Sequence, residues 1–395
     1  MKVLHITNKP VYPVVDGGCI AMLALQNDLL SLGYFVKNIT VSTPKHPFEL
    51  EKFPEAIRKQ THPQAVEINT SIHPAKAFSA LMRRKSYNVS RFYSEDLERM
   101  IGDKLSKTKF DIVILETAYL LTYLPVIRKH TEAKVIVRSH NVEFRIWERS
   151  AKNGPGLFKR ILFAKLARDL KRFELSFMKQ TDGVLPISKK DAGIFLKAGI
   201  KAPMHVLPVS MELDNKYSYK HQKDNFFFIG AMNWNPNIEA TEELLKNIFP
   251  GIRQKNPRAT LHLAGSYMSD KLLNHKQPGV VIHGKVKDVR QFMSEHGILL
   301  VPMKSGSGIR IKIIEALSVG VPVIGSDIAF EGIPVEDLVH CKKVNSKDEF
   351  ISWALKMDQQ EEKSVTLGIN GKELICTYYD QKNVSKKLHE FLSSL

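Results

Sequence analysis

Two cations open a helical pattern near residue 310. Arg310 and Lys312 follow the glycine- and serine-rich stretch Ser305-Gly306-Ser307-Gly308-Ile309, and the apolar residues Ile309, Ile313, Ala316 and Leu317 recur at helical spacing up to Gly320. A helix N-terminus carries partial positive charge and favours acidic side chains, so this start is unfavourable until an anion arrives. A bound diphosphate would satisfy the loop N–H groups, the helix dipole and both cations together. Glu315 interrupts the apolar run KIIEALSVG, three residues after Lys312 and on the same face. That spacing predicts either a surface ion pair worth roughly a few tenths of a kcal/mol or a carboxylate that accepts hydrogen bonds from a ribose diol. Spacing alone leaves the two readings even, because the loop matches neither the P-loop nor the dinucleotide fingerprint.

Two further places could carry chemistry. Gly17 and Gly18 precede a helical pattern through Ile20, Leu23, Ala24 and Leu30; a glycine pair there lets backbone N–H groups approach an anion or a hydroxyl-rich ligand, or else makes a tight turn with positive φ. His140 ends the apolar run KVIVRSH, flanked by Arg138, Asn141 and Glu143. A lone histidine in such a place is more often a structural hydrogen bonder than a catalyst, and Glu143 reads equally as a helix-start carboxylate. There is no D-x-D sequence, no histidine pair at metal-ligand spacing, and three scattered cysteines, Cys19, Cys341 and Cys376. The expectation is no metal, no zinc site and no disulfide framework.

These residues sit at the ends of recurring strand-like runs. Val3 to Thr7, YFVKNITV, DIVILE, KVIVRSH and GVLPIS alternate with helical stretches; the pattern then breaks into a polar linker around 205–225. It restarts with FFFIG, followed by Asn235-Pro236 as an expected N-cap with proline at the first helical position, and continues through TLHLAG, VVIHG, GILLVP and VPVIGS. Continuous apolar strands alternating with helices predict two doubly wound α/β domains in series. In such sheets ligands bind beyond the carboxyl ends of the strands, which is where Gly17, His140 and the 302–310 loop fall.

The chain has 395 residues, 43% hydrophobic and 25% charged, with a formal charge of +17. That composition predicts a folded two-domain protein attracted to polyanions, anionic lipid or acidic substrates. Nucleic acid is not expected, for no basic stripe interleaved with aromatics is present. The densest basic segment, 151–180, holds eight Lys or Arg against two acids, with Phe158, Ile161, Leu162, Leu166, Leu170, Phe173 and Phe177 at helical spacing. It reads as an amphipathic helix packed on the core with a solvated basic face, or one lying on anionic lipid. The first residues suggest no leader and no stretch reaches the roughly 18 apolar residues a spanning helix needs, so a cytoplasmic chain is expected, and the lipid reading of the basic helix would add peripheral contact at the inner membrane face.

Residues 302–325, PMKSGSGIRIKIIEALSVGVPVIG, resemble the donor-nucleotide motif of GT-B glycosyltransferases of family 4. DGG, RSHNVE, DGVLPISKKD and GKVKDV follow in family order. The resemblance implies two Rossmann-like domains facing across a cleft: residues 1–208 on the acceptor side, joined by a C-terminal helix at 380–395 that packs back on them, and 209–379 holding the nucleotide-sugar donor. It implies that Arg310 and Lys312 hold the donor diphosphate, Glu315 the ribose hydroxyls, and His140 the transferred sugar or the reacting phosphates. Ser307, Gly308, Ile309, Gly17, Gly18 and Asn233 would line the donor. Three places depart from the family pattern. Ser307 stands where a glutamate is common, Pro208-Val209-Ser210-Met211-Glu212 replaces the usual inter-domain turn, and Asn233 and Asn235 occupy the region where basic residues are usual. The implied activity is retaining, metal-independent sugar transfer to a glycan or lipid-linked acceptor in cell-surface polysaccharide synthesis, with no cofactor beyond the nucleotide-sugar co-substrate. A nucleotide-sugar epimerase or hydrolase, or a non-catalytic nucleotide- or glycan-binding relative, are the alternatives.

Overall fold

The structure is a computed structural model that describes the chain except residues 72–85, Pro155, 214–215 and Ser307. It divides into two units, Met1–Met211 with Gln381–Leu395, and Glu212–Asp380. Each holds one six-stranded parallel sheet.

In the first unit the strands are β1 (Lys2–Thr7), β2 (Phe35–Ser42), β3 (Gln64–Glu67), β4 (Ile112–Glu116), β5 (Lys134–Ser139) and β6 (Gly183–Pro186), in the order β3-β2-β1-β4-β5-β6. Alternate side chains of one strand feed two cores, as a period of two requires. Val113 and Leu115 of β4 join Leu4, Ile6, Val135 and Val137 on one face, while Ile112 and Ile114 join Val3 and Ile136 on the other. The helices that matter are α1 (Gly17–Ser31), α2 (Glu143–Asn153) and α3 (Leu157–Met178).

The second unit holds β7 (Asn225–Ile229), β8 (Thr260–Ala264), β9 (Val280–Gly284), β10 (Ile298–Val301), β11 (Val323–Gly325) and β12 (Lys342–Lys343), in the order β12-β11-β10-β7-β8-β9. Its relevant helices are α4 (Asn235–Glu243), α5 (Val289–Glu295) and α6 (Ile311–Ser318). The final helix, α7 (Gln381–Ser393), packs Val384, Leu388 and Leu392 at i, i+4, i+8 against Leu25 and Leu29 of α1. Buried Asp28 of α1 accepts hydrogen bonds from Ser210 and Ser385, tying the end of the unit's main segment to α7.

Two local expectations change. Trp234, not Asn235, is the cap residue of α4; Asn235 is already helical and its amide donates to Glu239, one turn on. In α3 the buried stripe is Leu166, Ala167, Leu170 and Met178, whereas Leu157, Phe158 and Ile161 are 73%, 80% and 61% exposed. The apolar periodicity runs unbroken into the first turns, yet the core it should cover does not extend that far.

Candidate active site

The loop after β10 is held before any ligand arrives. Lys304 and Ser305 donate to Glu243 and Glu239 of α4, at 2.7 and 2.6 Å. Gly306 and Gly308 take φ of +114° and +81°, conformations that only glycine adopts cheaply. Helix α6 then begins at Ile311 with Arg310 in the cap position, and it ends at Val319 and Gly320, the latter with φ +81°. Ser307 lies outside the described residues.

Arg310 is 3% exposed. Its guanidinium lies over the Trp234 ring at 5.3 Å, Nε donates to Met303 Sδ, and Nη1 donates to the Gly308 carbonyl. It is therefore clamped as a rigid cation beside the loop it follows. Lys312 Nζ sits 4.1 Å above the Phe228 ring and donates to Asn237 Oδ1 at 2.6 Å. Asn237 in turn donates from Nδ2 to the Ala231 carbonyl, which fixes which end of the amide faces the lysine. A Cβ on Gly230 would lie 2.6 Å from Lys312 Nζ, so the strand end must be bare. Burial, then Arg310, push the Lys312 ammonium down to about 7. Half-buried Glu315 has no ion pair or side-chain hydrogen bond to its carboxylate among the described residues. Burial raises it to about 7, against the pull of Arg290 and Lys312. The ion-pair reading of Lys312 and Glu315 is thus not what forms. Exposed Asn233 stands in the loop after β7, and Ile309 and Gly308 are half-buried in the loop itself.

The first unit builds a second cluster from three adjacent strands. Glu116, fully buried at the end of β4, accepts from His5 of β1 at 2.8 Å and from His140 at 2.5 Å, with Arg138 of β5 at 3.5 Å. Burial alone would raise the Glu116 carboxyl; Arg138, His140 and His5 overcome it and hold the group below the usual carboxylate range. The ionised carboxylate takes Nε2–H of His140 and leaves that ring's Nδ1 as its acceptor. Burial keeps the His140 imidazole neutral by lowering it below its ordinary value, and Glu116 only partly offsets this. Glu116 was not among the residues singled out from the sequence. An acid closing the apolar strand run DIVILE was the available signal, while its register beside Arg138 emerges only in the sheet.

Gly17 and Gly18 begin α1 without positive φ, so the tight-turn reading does not hold. Asp16 caps the helix by accepting from Cys19 N at 3.0 Å and pairs with Lys9 at 2.6 Å. A Cβ on Gly18 would lie 2.7 Å from Lys9 Nζ, so this glycine makes room for the pair. Glu143 is the first residue of α2, bonded by Tyr119 at 2.7 Å, and Glu174 of α3 accepts from the Glu143 and Phe144 N–H groups. Both acids are pushed up by burial, Glu143 to about 7. Between α2 and α3 runs a groove of about 650 Å³ lined by Arg145, Arg149, Lys152, Arg168, Lys171 and Lys190, with Glu148 its one acid.

Residues 223–353 match the model of the family described as Glycosyl transferases group 1. A Klebsiella pneumoniae protein, described as an uncharacterized 44.6 kDa protein in the cps region, is 21% identical over 398 residues, 97% of either chain. Among solved structures, HepE from Anabaena in complex with UDP aligns over the whole of both chains with a TM-score of 0.68 at 14% identity. Sucrose-phosphate synthase from Thermosynechococcus elongatus aligns over 100% of this chain and 99% of its own, with a TM-score of 0.69 at 13% identity. With one six-stranded parallel sheet in each unit, this chain has the GT-B glycosyltransferase fold, and its residues 223–353 match the glycosyl transferases group 1 family.

Proposed function

We propose that the protein transfers a glycosyl group from a nucleoside diphosphate sugar, held by the second unit, to an acceptor hydroxyl held by the first. The observation that carries this reading is the pair of clamped cations at the start of α6 followed by a carboxylate with no partner among the described side chains. Arg310 and Lys312 would take the diphosphate oxygens, and Glu315 the ribose hydroxyls, with Gly308, Ile309, Ser307 and Asn233 beside them. Binding a dianion next to Lys312 would restore the charge that burial weakens. Relatives of the same fold, HepE among them, are described as complexes with UDP, which makes uridine the first base to try.

In the reaction the acceptor oxygen bonds to the anomeric carbon as the bond from that carbon to the diphosphate oxygen breaks. The acceptor attacks on the face that the diphosphate leaves, so configuration is retained without a protein nucleophile, and the departing diphosphate takes the acceptor proton. Arg310 and Lys312 stabilise the charge that develops on the leaving group, a task that needs no metal at this place. His140, held by Glu116 with Nδ1 as its acceptor, would serve the sugar or the reacting phosphates, and the backbone N–H groups of Gly17 and Gly18 would serve the donor.

For the acceptor, the cationic groove between α2 and α3 and the exposed Leu157, Phe158 and Ile161 at the start of α3 favour an anionic amphiphile, such as a lipid-linked glycan. The cps-region relative agrees with a role in surface polysaccharide synthesis.

The test is calorimetric titration of UDP, GDP, ADP and dTDP, with chelator present, into the wild type, Arg310→Ala and Glu315→Ala. One nucleotide should bind, and each substitution should weaken it about tenfold or more, the loss of a charge-assisted contact. If no nucleotide binds the folded protein, the transferase reading fails.

A further inference from the structure

Three histidines far apart in sequence meet on the outer part of the second sheet. His262 lies in the middle of β8, His283 in the edge strand β9, and His296 directly follows α5. His262 is paired with Val281, so His283, two residues on, projects from the same face. One nitrogen from each ring lies within 4.8 Å of the other two, and His262 Nδ1 is 2.9 Å from His283 Nε2.

The remaining nitrogens are tied to oxygen. His262 Nε2 donates to Asn225 Oδ1 at 3.1 Å, and Asn225 is itself oriented, since its Nδ2 donates to the Lys223 carbonyl. His296 Nδ1 donates to the Phe292 carbonyl at 2.6 Å, and its ring stacks on Phe292 with centroids 4.0 Å apart. Phe292 also meets His283 edge-on at 5.1 Å. Each of these two bonds fixes a tautomer, leaving a lone pair on His262 Nδ1 and on His296 Nε2. Histidine ligands to metals are commonly held this way, with the far nitrogen bonded to an oxygen.

We infer that His262, His283 and His296 form a three-histidine site for a borderline divalent transition-metal ion such as Zn2+, which clamps α5 to strands β8 and β9. Three imidazoles without an oxygen-rich shell disfavour Mg2+ and Ca2+. The ion takes the place of the proton shared between His262 and His283, and that proton moves to Nδ1 of His283 at the exposed edge. Tetrahedral Zn–N bonds of about 2.0–2.1 Å need nitrogens about 3.4 Å apart, a ring rotation from the present separations. A water fills the fourth position. Helix α5 also carries Arg290, which acts on Glu315, so the clamp steadies a helix that faces the candidate donor site without entering its chemistry.

The experiment uses full-length protein free of any histidine tag, stripped by chelator and dialysed. Zn2+ is titrated calorimetrically into the wild type, His283→Gln and His296→Gln, and Co2+ into the wild type with visible absorption as readout. One Zn2+ per chain, weakened about tenfold or more by either substitution, together with a tetrahedral Co2+ band, is the expected result. An unchanged affinity in His283→Gln, or no Zn2+ bound by the folded wild type, overturns the proposal. His283 is exposed, so its variant should fold; should it not, the Co2+ spectrum of the wild type still decides. Nucleotide binding in chelator should be the same in His283→Gln as in the wild type, which separates this site from the donor reading.

Discussion

Lys312 turns away from Glu315. Its Nζ bonds Asn237 Oδ1 at 2.6 Å, on another helix, and no ion pair joins it to the carboxylate three residues along its own. Two opposite charges that could have neutralised each other are instead held apart and half-buried, each pushed toward the middle of the pH range. An arrangement that costs stability without a ligand is what a site awaiting one would show.

For Lys312 the sign is fixed by the folded value of about 7 lying below the ordinary 10.5. Between those values the unfolded chain holds a proton that the folded chain has released, so stability rises with pH through that window. Lys312→Met removes this contribution. The melting temperature of the wild type, measured relative to Lys312→Met, should therefore climb from pH 7 to 10; a constant difference would contradict it. Gly230→Ala, which crowds Nζ and the Asn237 amide, should weaken nucleotide binding about as much as Lys312→Ala does, roughly tenfold for a charge-assisted bond.

Glu315 has the opposite slope. Its folded value of about 7 stands above the ordinary 4.5, so the folded chain holds the extra proton, and stability is lost as pH rises from about 4.5 to 7. Glu315→Gln escapes that loss. At pH 8 it should melt at least about 2 °C higher than the wild type, the shift roughly 1 kcal/mol produces in a unit of this size, while binding nucleotide about tenfold more weakly. A variant that loses both stability and binding would mean the carboxylate is structural.

Glu116 should behave in the reverse way. Its carboxyl is held below its usual value, so its contribution is present above about pH 4.5 and is lost as pH falls below it. Removing it in Glu116→Ala leaves Arg138 buried without its charge partner, at a cost of about 3–5 kcal/mol. Denaturant melts at pH 7 measure that loss. Glu116→Gln should flatten the acid limb of the stability curve while the wild type falls steeply.

Much of this was legible in the sequence because it rests on local periodicity. The apolar runs mark β1, β4, β5, β7, β8 and β10, and Gly33 and Gly320 end helices with positive φ. Arg310, Lys312 and Glu315 stood out because they oppose the rules of the helix they occupy. What stayed hidden depends on contacts between distant segments. Asn237 became the partner of Lys312 only when α4 packed beside α6, and Glu116 met His5 across 111 positions. The histidines at 262, 283 and 296 have no ligand spacing, for sheet order sets His262 beside His283 and the packing of α5 adds His296. The start of α3 misled because periodicity reports which face is apolar, not whether a core lies beneath it.

That exposed start makes the last prediction. No helix among the described residues is long and apolar enough to cross a membrane. Leu157, Phe158 and Ile161 nonetheless stand in solvent beside Lys159 and Arg160, at the start of the helix whose later residues Ala164, Arg168 and Lys171 line a groove with six cationic side chains. Apolar tips would enter the interface of an anionic bilayer while the cations meet the headgroups, and each contribution fails differently. In sedimentation with vesicles containing anionic lipid, the wild type should bind at low salt and release as salt rises. Phe158→Ser with Ile161→Ser should weaken binding by about tenfold or more, as the loss of apolar burial of about 25 cal/mol per Å² over two large side chains requires. Equal binding by the double variant would reduce the interaction to charge alone, and none by the wild type at low salt would leave the groove for a soluble anionic acceptor.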